Sequence, residues 1–530
     1  MGARLQRLRR ALEVTRVARG RKLLRILGEL SVVGERPATR EGAQALRTTL
    51  EQLGTTYVKL GQLLSSRSDL LPDVYIQELT KLVDEVPPTP FAEIEEIIHR
   101  ELGDGVFARV DPEPLATASI AQIHAALTRD GRDVVVKVRR PGIEEQVALD
   151  LDLLRSTARV AERRSAAARI LQVDTLADEV ESHIRAELDF REEAGNAELI
   201  SSIIEDYEGL TVPGVARPHV TERVLVLERI SGEKLTTEHG VPPDRARDLA
   251  TQLFRAYVHQ VASAGVYHAD PHRGNVLLTE DGRLALVDFG LLGRLDDDTR
   301  TTISQLLLAV AQNRADDAAA AILKLSLTTL ESDEAGFVAE LRRKLPRYHW
   351  RPLSQIRAGE ALADLQRLAL TYRIRLPPSF ALVGKTLSQA DSIARTLDPE
   401  LDPVGLLDQD ALGVMLREAE RRLEPNALLS YLFTQLDPLL RLPRRIVQAA
   451  DRLETGTLKV GIVPTDLHGL EQILRSTANR LGAALIIVGL LVASALMARV
   501  DHTFSIVGFL ISAALGLYWL WKIVRTPGEL

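Results

Sequence analysis

His268-Ala269-Asp270-Pro271-His272-Arg273-Gly274-Asn275, with Asp288-Phe289-Gly290 downstream, is the stretch whose reading decides the fold of this 530-residue chain. An Asp is followed by an Asn five positions later and by a second Asp eighteen positions on. Phosphoryl-transfer sites use this spacing to set a base and two divalent-metal ligands around nucleotide phosphates. Leu284-Ala285-Leu286-Val287 is an apolar run after the turn Asp281-Gly282, so Asp288 is expected at a strand end, where its carboxylate faces a cleft. Solvated acids in a surface loop would leave that strand unexplained. A zinc site built on His268, Asp270 and His272 has suitable ligand types, but it leaves Asp288 and an upstream lysine without a task.

That lysine is Lys137, inside the β-branched run Asp133-Val134-Val135-Val136-Lys137-Val138, just after the turn Asp130-Gly131. An unpaired ammonium in a buried strand is costly, so Lys137 needs a carboxylate partner and is the natural phosphate-binding lysine. The run Ala186 to Ala194 offers Glu187, Asp189, Glu192 and Glu193.

Together these motifs resemble a protein kinase, and three further ones narrow the resemblance. Tyr57-Val58-Lys59-Leu60-Gly61-Gln62 is similar to the Lys-x-Gly-Gln signature of the UbiB (AarF, ABC1-type) family of atypical kinases. Glu187-Leu188-Asp189 is similar to its Glu-x-Asp signature, and Ala116-Thr117-Ala118-Ser119 to its Ala-rich nucleotide loop. Leu387, Ser388, Ala390 and Asp391 also read like the family's C-terminal portion, so the resemblance covers about residues 45–410. Two positions depart from the family pattern. Ala121 stands where some members have Gly, and Arg273 where most have Pro, which bears on loop shape and not on any metal or phosphate ligand.

The resemblance implies ATP and Mg²⁺ as cofactors. Lys137 would hold the α- and β-phosphates, and Glu193, at the family spacing of six after Glu187, would pair with it. Asn275 and Asp288 would ligate Mg²⁺, and Asp270 would orient or deprotonate the acceptor. Ala116 to Ser119 would line the nucleotide, with adenine contacts from the backbone around Glu228 at the end of the strand Val224 to Ile230. Glu187 and Asp189 would meet the helix of Lys59, Gly61 and Gln62, as a regulatory element over the site where a protein substrate would otherwise bind. On one continuous helix Glu187 and Glu193 would lie about 120° apart.

The chain holds no Cys, which excludes disulfides, thiolate metal sites and cysteine nucleophiles. A formal net charge of -7 argues against nucleic acid as a partner. Hydrophobic content of 45% and charged content of 26% are those of a globular protein with a sizeable core. The first 25 residues nevertheless hold nine Lys or Arg, with Leu5, Leu8 and Leu12 on one helical face. Such a helix suits an anionic membrane surface, and equally a docked position with its apolar face on the rest of the chain.

Residues 481–498 and 503–521 are two uncharged, mostly apolar runs. As helices each would reach roughly 27 to 29 Å, close to the hydrocarbon thickness of a bilayer. Tyr518, Trp519, Trp521, Lys522 and Arg525 make an interfacial collar, and Arg475 and Arg480 flank the other outer end. The expectation is a transmembrane hairpin in the cytoplasmic membrane with the catalytic part in the cytoplasm. Gly508, Ser512 and Gly516 form a small-residue stripe suited to packing within the hairpin, to a homo-oligomer, or to a biosynthetic complex.

The expected fold is α+β: a two-lobed protein-kinase-like fold with an N-terminal helical extension, a helical C-terminal extension and the transmembrane hairpin. Residues 1–36 read as a basic amphipathic helix and 37–109 as a helical extension. The small lobe with a helical insertion follows at 110–242, the large-lobe catalytic core at 243–330, and a helical extension at 331–480. After Gly290 the chain has no Ala-Pro-Glu and no long activation segment, so the element that receives a peptide substrate is missing. A small-molecule or lipid acceptor, or simple ATP hydrolysis, is preferred. The family's link to isoprenoid quinone biosynthesis points to a membrane lipid or quinone precursor as partner. A non-catalytic nucleotide-binding scaffold for a membrane biosynthetic complex is the alternative.

Overall fold

The computed structural model describes residues 7, 9–14, 16–17, 38–65, 71–82, 86–164, 173–237, 240–326, 328, 332–349, 358–407, 409, 510 and 513–514. The chain divides into two units, residues 1–424 and 425–530. The expected hairpin, apart from residues 510 and 513–514, and its stripe at Gly508, Ser512 and Gly516 lie outside the described residues. Among the described residues no helix is long and apolar enough to cross a membrane.

The small lobe is a four-stranded antiparallel sheet in the order β1-β2-β3-β5, built from β1 (Phe107–Thr117), β2 (Ala121–Thr128), β3 (Asp133–Arg139) and β5 (Val224–Glu228). Alternation along the strands decides what each face meets. Val134, Val136, Val138, Val224 and Val226 pack under Ile94, Ile97 and Ile98 of helix α4 (Phe91–Leu102). The opposite face carries Leu225 and Leu227 and packs on Phe190 and Ala194 of helix α7 (Phe190–Ile203). Lys137 pairs in register with Ile123 of β2 and Leu225 of β5, which places it on the α7 side.

Three helices precede α4: α1 (Arg40–Leu53), α2 (Thr55–Ser65) and α3 (Asp73–Leu79). Apolar residues keep helical spacing over 41–64, yet this stretch forms two helices and not one. Gly54, at φ 91° and ψ -166°, breaks it while its N–H closes on the carbonyls of Leu50 and Glu51. Helix α2 buries Tyr57 and Val58 in a core shared with α1 and α3. Its Leu60 and Leu63 turn to a second core formed by α5 (Ile143–Arg164) and α6 (Val173–Glu187). Gly61 sits at the closest approach, where a Cβ would lie 2.3 Å from Leu82 Cδ1 and 2.7 Å from Leu50 Cδ1.

The N-terminal basic segment docks where it is described. Arg10 bonds the fully buried Asp150 of α5 through Nε at 2.6 Å and also donates to the Leu53 carbonyl, while Val14 and Val17 pack on the core of α1 to α3. Leu12, expected on the docked face, is instead 65% exposed, because the helix turns Arg10, Val14 and Val17 inward.

The large lobe is built around α8 (Pro243–His259) with two small sheets. One pairs β7 (Val266–His268) with β10 (Leu292–Arg294); the other orders β4 (Leu210–Thr211), β9 (Leu284–Leu286), β8 (Val276–Thr279) and β6 (Gly232–Lys234) as β4-β9-β8-β6. Gly232 is more than a turn after β5. It lies in β6, where a Cβ would meet the Leu278 carbonyl oxygen at 2.5 Å. Helices α9 (Asp297–Ala311), α10 (Ala315–Leu325), α11 (Glu334–His349), α12 (Ala358–Thr371) and α13 (Pro378–Leu397) complete the lobe, and residues from each join α8 in one core.

Candidate active site

Lys137 Nζ donates to Glu193 Oε1 at 2.6 Å and to Oε2 at 2.8 Å, with the ammonium 5.4 Å from the Phe190 ring centroid. Glu193 is buried and stands in the first turn of α7, one turn after Phe190, which anchors the helix to the sheet. The exposed Glu192 points away, which resolves the choice between the adjacent acids. Burial works against the Lys137 charge, but Glu193 and Asp288 outweigh it and hold the ammonium protonated above its ordinary value.

From the other lobe, Asp288 follows β9. Its Oδ1 accepts the Gly290 N–H at 3.1 Å and its Oδ2 accepts Asn275 Nδ2 at 3.3 Å. Burial alone would raise the Asp288 carboxyl. Lys137, the Gly290 N–H and Lys59 together bring it down to about 2. Lysines from two elements, β3 and α2, therefore act on one aspartate.

Asp270 follows β7. His272 Nδ1 caps the short 3₁₀ turn Arg273–Asn275 by accepting the Gly274 N–H, and the Asn275 carbonyl accepts the Val287 N–H. Buried His268 shapes the start of this loop: its N–H donates to Gln260 Oε1 at 2.9 Å, and its Nδ1 accepts the Asp270 N–H at 3.1 Å. The ring stacks near Phe289 with centroids 5.7 Å apart, and burial keeps it neutral by lowering its pKa. Those bonds argue against a zinc ligand set. Among the described residues no cluster of three or more His, Asp or Glu is placed to hold a metal.

The motif residues fall into two groups. Lys59 bonds Glu187 at 2.9 Å, bringing α2 to the C-terminus of α6. Gln62 is half-buried on the same helix, and Gly61 serves its packing. Asp189 does not meet α2. It caps α7 by accepting the Arg191 N–H at 3.0 Å and pairs with the Arg191 guanidinium, because the chain bends between α6 and α7. Glu187 and Glu193 consequently lie on different helices, and the 120° relation of a single helix does not apply.

In the Ala-rich loop, the Ala118 N–H closes on the Ala121 carbonyl at 2.8 Å. Ala116 is exposed, Thr117 is half-buried, and the Ser119 hydroxyl is buried without a hydrogen-bond partner among the described residues. Glu228 ends β5 with an exposed side chain. Its N–H already donates to the Gly214 carbonyl at 2.8 Å, so that donor is not open to adenine.

Three residues at the site carry no sequence motif. Asn196, three positions after Glu193, donates to the Phe289 carbonyl at 3.0 Å and ties α7 to the Asp-Phe-Gly segment. Lys385 Nζ meets Asp270 Oδ1 at 2.9 Å, and Gln389 Nε2 meets the same oxygen at 3.3 Å. Burial would raise the Asp270 carboxyl, yet Lys385 above all holds it below the usual carboxylate range. Helical spacing of four between Lys385 and Gln389 was the available signal. It lay beside the motif-like Leu387, Ser388, Ala390 and Asp391, three of which are buried in the packing of α13.

This arrangement of two lobes about a lysine and an aspartate defines the class as kinase-like, mixed α+β with helices predominant. The comparisons with known proteins narrow it. A model of the ABC1 atypical kinase-like domain matches residues 81–322, one of the UbiB helical domain residues 341–402, and one of the ABC1/UbiB kinase-like C-terminal domain residues 465–525. A protein of Xanthomonas campestris described as "Probable protein kinase UbiB" is 34% identical over 485 residues, 87% of this chain and 85% of its own. An uncharacterised protein of the hydrogenase 1 5′ region of Clostridium pasteurianum is 28% identical over 92% of this chain and 94% of its own. A solved structure of Rv3197 with erythromycin, from Mycobacterium tuberculosis, matches at 25% identity over 68% of this chain and 96% of that one, with a TM-score of 0.46. The chain belongs to the ABC1/UbiB family of atypical kinase-like proteins.

Proposed function

We propose that this chain is a membrane-anchored atypical kinase or ATPase that binds Mg-ATP and either hydrolyses it or passes its terminal phosphate to a small-molecule or lipid acceptor, in support of isoprenoid quinone or lipid biosynthesis. The observation that carries this reading is the Lys137–Glu193 pair at 2.6 Å, on a helix whose Asn196 bonds the Phe289 carbonyl at 3.0 Å, next to Asp288 on the other lobe. In phosphoryl transfer the protein mainly positions reactants and neutralises charge, and this pairing supplies a cation for the phosphates with an acidic group opposite.

Asn275 and Asp288 fit Mg²⁺, which takes one or two protein carboxylates and completes its shell with waters and substrate phosphates. When bound, the ion neutralises phosphate oxygens. Asp270, kept ionised by Lys385, is suited to orienting an acceptor hydroxyl and taking its proton.

A peptide acceptor is disfavoured because six residues separate Gly290 from α9, and Leu292 to Arg294 among them are tied into β10. Membrane anchoring rests on the apolar runs 481–498 and 503–521, with the basic N-terminal segment as a further contact for anionic lipid. The small-residue stripe suits a homo-oligomer or a complex with biosynthetic partners.

The test is ATP turnover by the full chain in phospholipid vesicles containing Mg²⁺, with Asp288→Asn as the control. Turnover in the native chain and a loss of at least about 100-fold in the variant are expected, the scale of removing one main electrostatic group. A native chain that binds ATP but does not turn it over is a nucleotide-binding scaffold, and the catalytic reading is then wrong.

A further inference from the structure

Few cations surround the transfer position. Lys137 is committed to Glu193. In the loop bearing Asp270, His272 and Arg273 are exposed, and no lysine occurs between Lys234 and Lys324. Asp270 nevertheless has an ammonium on it, Lys385 Nζ at 2.9 Å, delivered from α13. Gln389, one turn further along, donates to the same carboxylate oxygen at 3.3 Å while its own Oε1 is buried without a hydrogen-bond partner among the described residues.

The register of α13 is fixed by its packing. Leu387, Ala390, Ile393 and Ala394 are buried in the large-lobe core, and Thr386 Oγ1 donates to the His268 carbonyl at 3.5 Å. Lys385 is thus held to the catalytic loop by the same helix face that closes the lobe. Asp270 marks where an acceptor hydroxyl meets the terminal phosphate, whose charge during transfer spreads over three equatorial oxygens. A cation hydrogen-bonded to that carboxylate stands beside those oxygens.

We infer that Lys385 is the cation that contacts the terminal phosphate at the transfer position, with Gln389 holding Asp270 through its Nε2. This deepens the proposed function and rests on it. In the step, the acceptor oxygen bonds to the terminal phosphorus, and the bond from that phosphorus to the bridging oxygen breaks with its electron pair left on the nucleoside diphosphate. The hydroxyl proton passes to Asp270, and water as acceptor gives inorganic phosphate. Lys385 keeps its protons throughout.

Because Lys385 is assigned to the terminal phosphate alone, it separates ATP from ADP. The full chain in phospholipid vesicles, with Mg²⁺ present, is titrated with each nucleotide. Lys385→Met is expected to weaken ATP binding by about tenfold or more while leaving ADP affinity within about twofold, and Lys385→Arg to keep the ATP preference. Retained ADP affinity also reports that the site is folded. Should Lys385→Met lose ADP as well, Lys385→Gln against Lys385→Arg makes the same comparison. Equal weakening of both nucleotides, or an unchanged ATP preference without the cation, overturns the inference while leaving the proposed function standing. A native chain that binds neither nucleotide overturns both.

Discussion

Lys137 and Glu193 are each mostly removed from water, at 19% and 8% side-chain exposure, so neither charge is tolerable alone. Lys137→Met should therefore destabilise the fold by about 3–5 kcal/mol, and Lys137→Met combined with Glu193→Leu should recover most of that loss. Urea denaturation of both variants checks this; a double variant no more stable than the single would place the deficit elsewhere. This pair was legible from residue type, because a lysine among valines demands a carboxylate and the family spacing selects Glu193. Lys385 and Asn196 were not legible. An exposed-looking lysine on a late helix becomes a partner of Asp270 only when α13 folds back over the loop, 115 positions away. Asp189 misled for the opposite reason: a carboxylate just before a helix serves that helix as readily as a distant partner.

At the level of elements, the joint between α1 and α2 controls where Lys59 is carried. Gly54 adopts a backbone conformation nearly confined to glycine, and a Cβ there would meet only Gln146 Nε2 at 3.5 Å, so strain and not crowding is the issue. Gly54→Ala is expected to destabilise by about 1–3 kcal/mol. Gly54→Asn should fare no better, since its ψ of -166° is not the left-handed helical region that Asn tolerates. Thermal denaturation of the two variants decides the point, and a rescued Asn variant would contradict it. The periodicity over 41–64 did not reveal this joint, because the apolar positions keep helical spacing on both sides of Gly54. The strands were plainer. The β-branched run Asp133 to Val138 marked a strand with a lysine inside it, and it forms β3.

Across the whole molecule, the N-terminal segment is held to the helical unit by Arg10 on Asp150, by Arg7 on Asp152 at 2.9 Å, and by Val14 and Val17. Arg10→Met leaves Asp150, with no side-chain exposure, without its charge partner, and should destabilise by about 3–5 kcal/mol by calorimetry. A change under about 1 kcal/mol would mean that this contact does not persist in solution. Charge counting left docking and lipid contact equally open, because arginines suit a carboxylate and a headgroup alike; the neighbours at Asp150 and Asp152 discriminate. The β10 pairing bears on how the site could be controlled. Six residues stretch at most about 20 Å, and half of those between Gly290 and α9 are already held by β7. A tether so short and so pinned cannot alternate between a folded and a melted form, the switch that activation segments use when phosphorylated. A phosphate added to this tether would therefore not switch the site by that route.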